Sequence, residues 1–259
     1  MKTVHKNPQD WTVTDIAAFW DWQSKNAGRQ QQYFTAVMAP AIVQFIKKKG
    51  LLKGDVLDYG CGAGHLLEQM CKQPAHGALR GVNFYGLDFS ADSIGETRRR
   101  LGNNPQLKEL VLVDELPTHF NDEQFDSITL VETIEHLQDE TLYATMQELF
   151  RILKRNGKLF ITTPFNEDLD QNLNFCPFCK TEFHHMQHMQ SFNIDSLTAL
   201  ANKYGFNVEL CMSMDIEKLK LGTLKYAVKQ VLKKFAITAG LKDEANEKNP
   251  NLVALFVKP

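Results

Sequence analysis

One twelve-residue stretch constrains this chain more than any other: VLDYGCGAGHLL, from Val56 to Leu67. An apolar strand-like run leads into Asp58-x-Gly60-x-Gly62-x-Gly64, and a helical pattern follows at once. Glycines at this density let the backbone turn sharply and approach a ligand closely, where any Cβ would clash. A strand, glycine loop and helix in this order belong to an open α/β sheet, with ligands outside the strands' carboxyl ends. The dinucleotide fingerprint G-x-G-x-x-G needs its third glycine where this chain has His65, which argues against an NAD enzyme.

The rest of the chain continues the theme. Short apolar runs predict strands at 55–59, 82–88, 109–113, 125–131, 157–163, 206–212 and 251–257. Helical stretches lie between them near 63–72, 91–101, 138–153 and 193–204. The expected fold is α/β: a seven-stranded, mostly parallel, Rossmann-like sheet covered on both faces, with the final strand inserted as an antiparallel edge. Residues 10–50 read as helix, with Tyr33, Phe34, Val37, Met38, Ala41, Ile42, Phe45 and Ile46 at three- and four-residue steps. Residues 1–50 are therefore expected to form a helical cap on a domain spanning 51–259.

Two segments break the alternation. Residues 164–192 are too long for an ordinary connection and read as an insertion. Residues 216–236 carry six lysines against one glutamate, with Leu224, Val228, Val231, Leu232 and Phe235 along one helical face. Such a basic helix is either a solvated face or a contact for an anionic lipid surface or a phosphate-bearing substrate. The formal charge is only −2, from 29 basic and 31 acidic residues, which argues against nonspecific coating of nucleic acid. No apolar run approaches the roughly 20 residues that span a bilayer. The N-terminus has no apolar leader core, so a cytoplasmic location is expected. Five cysteines, an odd number, do not make a disulfide framework.

Three groups of residues carry chemistry. Asp88 ends the second strand, 24 residues after Gly64, where a carboxylate can accept both hydroxyl protons of a ribose; Ser90 is the better cap for the next helix. The fourth strand ends in Glu132-Thr-Ile-Glu135-His136, two carboxylates and an imidazole suited to Mg²⁺, Mn²⁺ or Zn²⁺, or else to capping and packing. The insertion contains CPFCKTEFHHMQH, giving Cys176-x2-Cys179-x4-His184-x3-His188, a spacing that suits tetrahedral zinc. His188 is available to either metal cluster. Trp11, Trp20 and Trp22 crowd the N-terminal helix, as part of a lid or as packing.

Over about residues 30–259 the chain resembles the class I S-adenosylmethionine-dependent methyltransferases. The matching pieces are the D-x-G-x-G-x-G loop, Asp88, FDSITLVETIEHL, LKRNGKLFITTP and the terminal NLVALFVKP, in the family's order. The resemblance implies that Asp58, Gly60, Cys61, Gly62 and Gly64 hold the methionine moiety of S-adenosylmethionine. It places Asp88 and Phe89 at the ribose, Asp114 at the adenine, and Glu132 beside the cofactor. The E-x-x-E-H turn with His188, 52 residues after His136, is similar to small-RNA 2′-O-methyltransferases. That likeness implies Glu132, Glu135, His136 and His188 as ligands of a divalent ion. The departures are the sequence His-Met-Gln-Ser-Phe after the last histidine and the foreign cysteine pair. Ubiquinone-type O-methyltransferases show a similar turn. The expected activity is O-methylation of a hydroxylated small-molecule or glycan-like substrate, with Glu135 and His136 as catalytic residues. RNA 3′-terminal 2′-O-methylation is one alternative, and a non-catalytic cofactor-binding scaffold with a zinc loop is another.

Overall fold

The computed structural model describes residues 11–73, 81–178, 180–216 and 251–259. Every predicted strand forms: β1 (Asp55–Tyr59), β2 (Asn83–Asp88), β3 (Leu107–Leu112), β4 (Phe125–Val131) and β5 (Leu153–Pro164). A short hairpin, β6 (Leu173–Phe175) and β7 (Glu182–His184), precedes β8 (Asn207–Met214) and β9 (Asn251–Val257). Seven strands make one sheet in the order β3-β2-β1-β4-β5-β9-β8. β1 to β5 are parallel, and β9 runs antiparallel to both neighbours, β5 and β8, one place in from the sheet's end.

The strands read as nearly unbroken apolar runs because both faces are buried. Alternate residues feed two cores. Leu57, Ile128, Leu130, Ile161, Ala254 and Phe256 face one, closed by Leu142, Met146 and Leu149 of α6 (Asp139–Ile152). Val56, Phe84, Phe160, Val253 and Leu255 face the other, closed by Met38, Ile42 and Ile46 of α3 (Phe34–Lys48). β5 starts four residues earlier than the apolar run suggests. Buried Leu153 already pairs with Phe125, and the ladder shifts register before resuming at Lys158.

The N-terminal helical stretch divides into α1 (Val13–Lys25), α2 (Ala27–Gln30) and α3. α1 opens on a capping box in which Thr12 and Asp15 exchange hydrogen bonds. Its C-terminal half is tied to α5 (Ala91–Leu101): Ser24 Oγ lies 2.8 Å from Ser93 Oγ, and Lys25 lies 2.9 Å from Asp92. Ser90, the α5 cap, donates to Asp21 at 2.7 Å. The opposite side of α1 meets the insertion, where Trp20 Nε1 donates to Gln187 Oε1 at 3.0 Å. α1 thus crosses from the carboxyl end of β2 to the insertion.

Backbone hydrogen bonds order much of the insertion. The bridge between Phe165 and Phe192 closes its base, and the β6–β7 hairpin orders its tip. The N–H groups of Met189 and Gln190 both donate to the Glu135 carbonyl, at 2.7 and 3.0 Å. Of the basic segment 216–236, positions 217–236 lie outside the described residues. Among the described residues, no helix is long and apolar enough to cross a membrane.

Candidate active site

The strand order reverses between β1 and β4, and two adjoining cavities open over that point. The larger, of about 480 Å³, is lined by Gly60, Gly62, Asp88, Glu135, His136 and His188 among others. The smaller, of about 320 Å³, shares Gly60, Asp88, Phe89, Thr133 and His136, and extends to Asp114 beyond β3. Val13 and Ile16 of α1 line the smaller cavity and Trp20 the larger, so α1 borders both. An elongated ligand can therefore lie across the glycine loop, from the tip of β3 to the tip of β4.

Two of the loop glycines show why that residue is required. Gly62 has φ +52°, and a Cβ added there would meet no atom within 4 Å, so its backbone borders open space. Gly64 has φ +77°, and a Cβ would sit 2.8 Å from the Thr97 side chain and 3.1 Å from its Cα. Gly64→Ala is expected to cost roughly 2 kcal/mol, from left-handed strain and this crowding. Thermal unfolding followed by circular dichroism should show a fall of several degrees.

Asp88 accepts hydrogen bonds from the N–H groups of Gly62 (2.8 Å) and Ser90 (2.9 Å), so it fixes the loop while bordering both cavities. Burial pushes its carboxyl up to about 6, although these N–H groups favour the charged form. Asp58 is also buried, accepts from Thr129 Oγ1 at 2.7 Å, and is pushed up to about 7 by burial. Burial pushes the Cys61 thiol well up, which leaves it neutral. Glu132 takes φ +47°, and its carboxylate accepts from Thr162 Oγ1 (2.8 Å) and Asn251 Nδ2 (3.2 Å).

Beyond β4, a short 3₁₀ turn (Ile134–His136) carries the other acidic and imidazole groups. Glu135 is 1% exposed, and neither carboxylate oxygen meets a donor in hydrogen-bonding geometry, although the Thr163 hydroxyl, itself without a bonded partner, favours the charged form. An unpartnered buried carboxylate costs several kcal/mol unless a proton or a cation compensates it, as desolvation of a charge is expensive. Burial accordingly pushes its carboxyl well above the usual range. His136 Nδ1 lies 3.4 Å from the Gln187 carbonyl, and Nε2 lies 3.9 Å from Glu135 Oε1. A carbonyl can only accept, so in the Nδ1–H tautomer His136 donates to Gln187 and Nε2 offers a lone pair. His188 joins from the insertion: one ligand atom each from Glu135, His136 and His188 lie within 4.8 Å of one another. Burial holds both imidazoles below their usual range, His188 at about 4. A buried carboxylate beside two neutral imidazoles is a donor set for a divalent transition ion.

The family model described as "Methyltransferase domain" matches residues 28–210. The chain belongs to that methyltransferase family. Among curated relatives, it is 30% identical over 126 residues to the "Ubiquinone biosynthesis O-methyltransferase" of Pseudomonas putida (strain GB-1), across 48% of this chain and 50% of that one. It is 33% identical over 122 residues to the enzyme of the same name from Glaesserella parasuis serovar 5 (strain SH0165), across 45% and 48%. The chain thus spans about half the length of the curated relatives it matches. The structure of a SAM-dependent methyltransferase from Aquifex aeolicus superposes with TM-score 0.55 at 14% identity, over 96% of this chain and 100% of that one.

For this methyltransferase, the placement of the anticipated residues can be compared with their chemistry. Asp58, Gly60, Cys61, Gly62, Asp88 and Phe89 line the larger cavity, and Asp114 the far end of the smaller one. Gly64 forms the N-cap of α4 (His65–Cys71) behind them. The Gly62 backbone borders open space, and the buried Asp88 carboxylate borders both cavities.

Of the four carboxylate and imidazole ligands implied by the RNA-enzyme likeness, Glu135, His136 and His188 gather, while Glu132 is engaged with Thr162 and Asn251. His184 groups with His188 and Glu167; among the described residues, Cys176 joins no such cluster, and Cys179 lies outside them. Glu167 was not anticipated. It sits in the irregular stretch after β5, and only folding brings it to His188, 21 residues away.

Proposed function

We propose that this methyltransferase transfers the methyl group of S-adenosylmethionine to a hydroxyl oxygen of a small-molecule or glycan-like substrate, at a site that also holds a divalent ion. The observation that carries this reading is Glu135, buried with both oxygens unpartnered beside His136 and His188 on the cofactor cavity's wall. The curated relatives are named for O-methylation in ubiquinone biosynthesis, which agrees with oxygen as the acceptor atom.

The sulfonium methyl of the cofactor is electrophilic as it arrives, so the protein's work is alignment and proton removal. Asp88 and the Gly60–Gly64 backbone hold the cofactor, with Phe89 and Asp114 beside its ribose and adenine. Glu135, His136 and His188 would hold the ion, whose charge lowers the pKa of a substrate hydroxyl beside it. The Glu135 carboxylate, with two oxygens, can serve the ion and still receive that hydroxyl's proton, whereas the single lone pair of His136 Nε2 serves the ion. Trp20, Tyr33 and Phe34 give the same cavity aromatic walls, which bind the carbon skeleton of a substrate and exclude water.

The test combines metal content with turnover. Protein purified without chelator or affinity metal is expected to carry close to one divalent ion per chain. Glu135→Gln should lose it, and a Cys176→Ser/Cys179→Ser variant should keep it. S-adenosylhomocysteine release should be stimulated by hydroxylated small molecules. Metal lost only from the cysteine variant would move the ion to the insertion's tip. Release stimulated only by RNA with a free 3′ terminus would favour the 2′-O-methyltransferase reading, with strongly salt-dependent binding.

A further inference from the structure

Glu167 belongs to neither the glycine loop nor the E-x-x-E-H turn, yet it makes the shortest polar contact in the imidazole cluster. Its Oε2 lies 2.5 Å from His188 Nδ1, and both side chains are largely buried. A carboxylate accepts here, so Nδ1 carries the proton and His188 Nε2 is left as a lone pair.

His184 has the opposite polarity. Its Nδ1 accepts from the His188 backbone N–H at 3.3 Å, so its own proton resides on Nε2. That Nε2 has no hydrogen-bond partner and stands 3.7 Å from Glu167 Oε1. The two rings stack, with centroids 4.4 Å apart. Glu167 therefore faces two imidazole N–H groups, one bonded and one within loose reach, whereas His184 has no lone pair left for an ion. The Glu167 backbone is itself tethered, since its carbonyl accepts from Ser191 Oγ at 2.7 Å.

We propose that Glu167 is a positioning residue: its carboxylate holds His188 in the Nδ1–H tautomer and orients the ring for metal binding alongside Glu135 and His136. Glu167, His184 and His188 are then the outer support of one centre and not a second centre. The inference rests on the reading of Glu135, His136 and His188 as ligands. Carboxylates hydrogen-bonded to a metal-ligating histidine fix its ring and tautomer, and their loss costs about 10–100-fold in metal affinity.

Two measurements on the full chain test this separately. Long-range ¹H–¹⁵N spectra of the metal-free protein should show His188 protonated at Nδ1, and Glu167→Ala should shift it towards the Nε2–H form that imidazole prefers in water. Mn²⁺, which thiolates hold poorly, then serves as the metal probe, with the free ion counted by electron paramagnetic resonance. Glu167→Ala should bind it about 10–100-fold more weakly, with S-adenosylhomocysteine affinity unchanged. Glu167→Gln, which keeps a carbonyl acceptor, should recover most of the loss, and His184→Phe should retain wild-type affinity.

Wild-type Mn²⁺ affinity in Glu167→Ala, or an Nε2–H His188 in the wild-type chain, overturns the positioning role alone. Affinity lost in His184→Phe but kept in Glu135→Gln would place the ion at Glu167–His184–His188 and overturn it too. A wild-type chain that binds no Mn²⁺ removes the metal reading itself, and the proposal with it.

Discussion

Glu135→Gln is expected to lower turnover at least about 100-fold while cofactor affinity stays at the wild-type value. On the proposed reading the substitution removes an ion ligand and a proton acceptor together, and a positioned acid or base alone is worth roughly 100- to 10,000-fold. The cofactor is spared because Glu135 shares the larger cavity with the glycine loop but contributes nothing to the loop's own hydrogen bonds. The metal-free fold should hardly change in stability, because burial pushes the Glu135 carboxyl well above its usual range and so already favours the neutral form that the amide mimics. The decisive set is therefore three measurements: S-adenosylhomocysteine affinity by calorimetry, product formation, and Tm. Full activity in Glu135→Gln would sink the catalytic assignment, and a large fall in Tm would make Glu135 a structural residue.

Asp88→Ala is expected to weaken S-adenosylmethionine binding by roughly 100-fold or more. Hydrogen bonds to a charged group are worth about 1.5–3 kcal/mol each, and on the proposed reading the substitution removes the acceptor for both ribose hydroxyls. It also frees the Gly62 and Ser90 N–H groups that Asp88 now holds. The same carboxylate makes the pH dependence explicit. Its pKa in the folded chain is pushed up to about 6 by burial, so protonation begins not far below neutrality. A protonated carboxyl accepts hydroxyl protons poorly, and cofactor affinity should fall as pH falls through about 6. For the empty protein the sign is reversed. A raised carboxyl pKa contributes stability that is present at low pH and is lost as pH rises through the folded value. Calorimetry across that range checks both signs. A flat affinity profile, or near wild-type affinity in Asp88→Ala, would remove Asp88 from the cofactor site.

Much of this molecule is legible along the chain. β1, β4 and β9 match their apolar runs residue for residue, and α5 matches its periodic stretch, because each run is bounded by a residue that ends it locally. Ser90 caps α5, as its place before Ala91 indicates. Boundaries set by pairing were not legible: Leu153 reads as the end of a helix until Phe125 pairs with it. The insertion shows the same limit. Its composition points to a metal, while the Phe165–Phe192 bridge, a small hairpin and two N–H groups on the Glu135 carbonyl are contacts that no spacing in the chain records.

The division has a physical basis. The sequence by itself determined the alternating sheet, the glycine loop and the acidic tip of β2, since each depends on residues close together in the chain and on backbone rules that act locally. It also placed Glu135 and His136 at a strand tip. Which histidine reaches them, which way Glu132 turns, and which carboxylate holds His188 were decided only by tertiary structure. Those contacts join residues 21 to 119 positions apart, and their partners have no spacing to read. Burial did the rest: removing water left Glu135 without a partner, and no linear pattern records the solvent a side chain will lose.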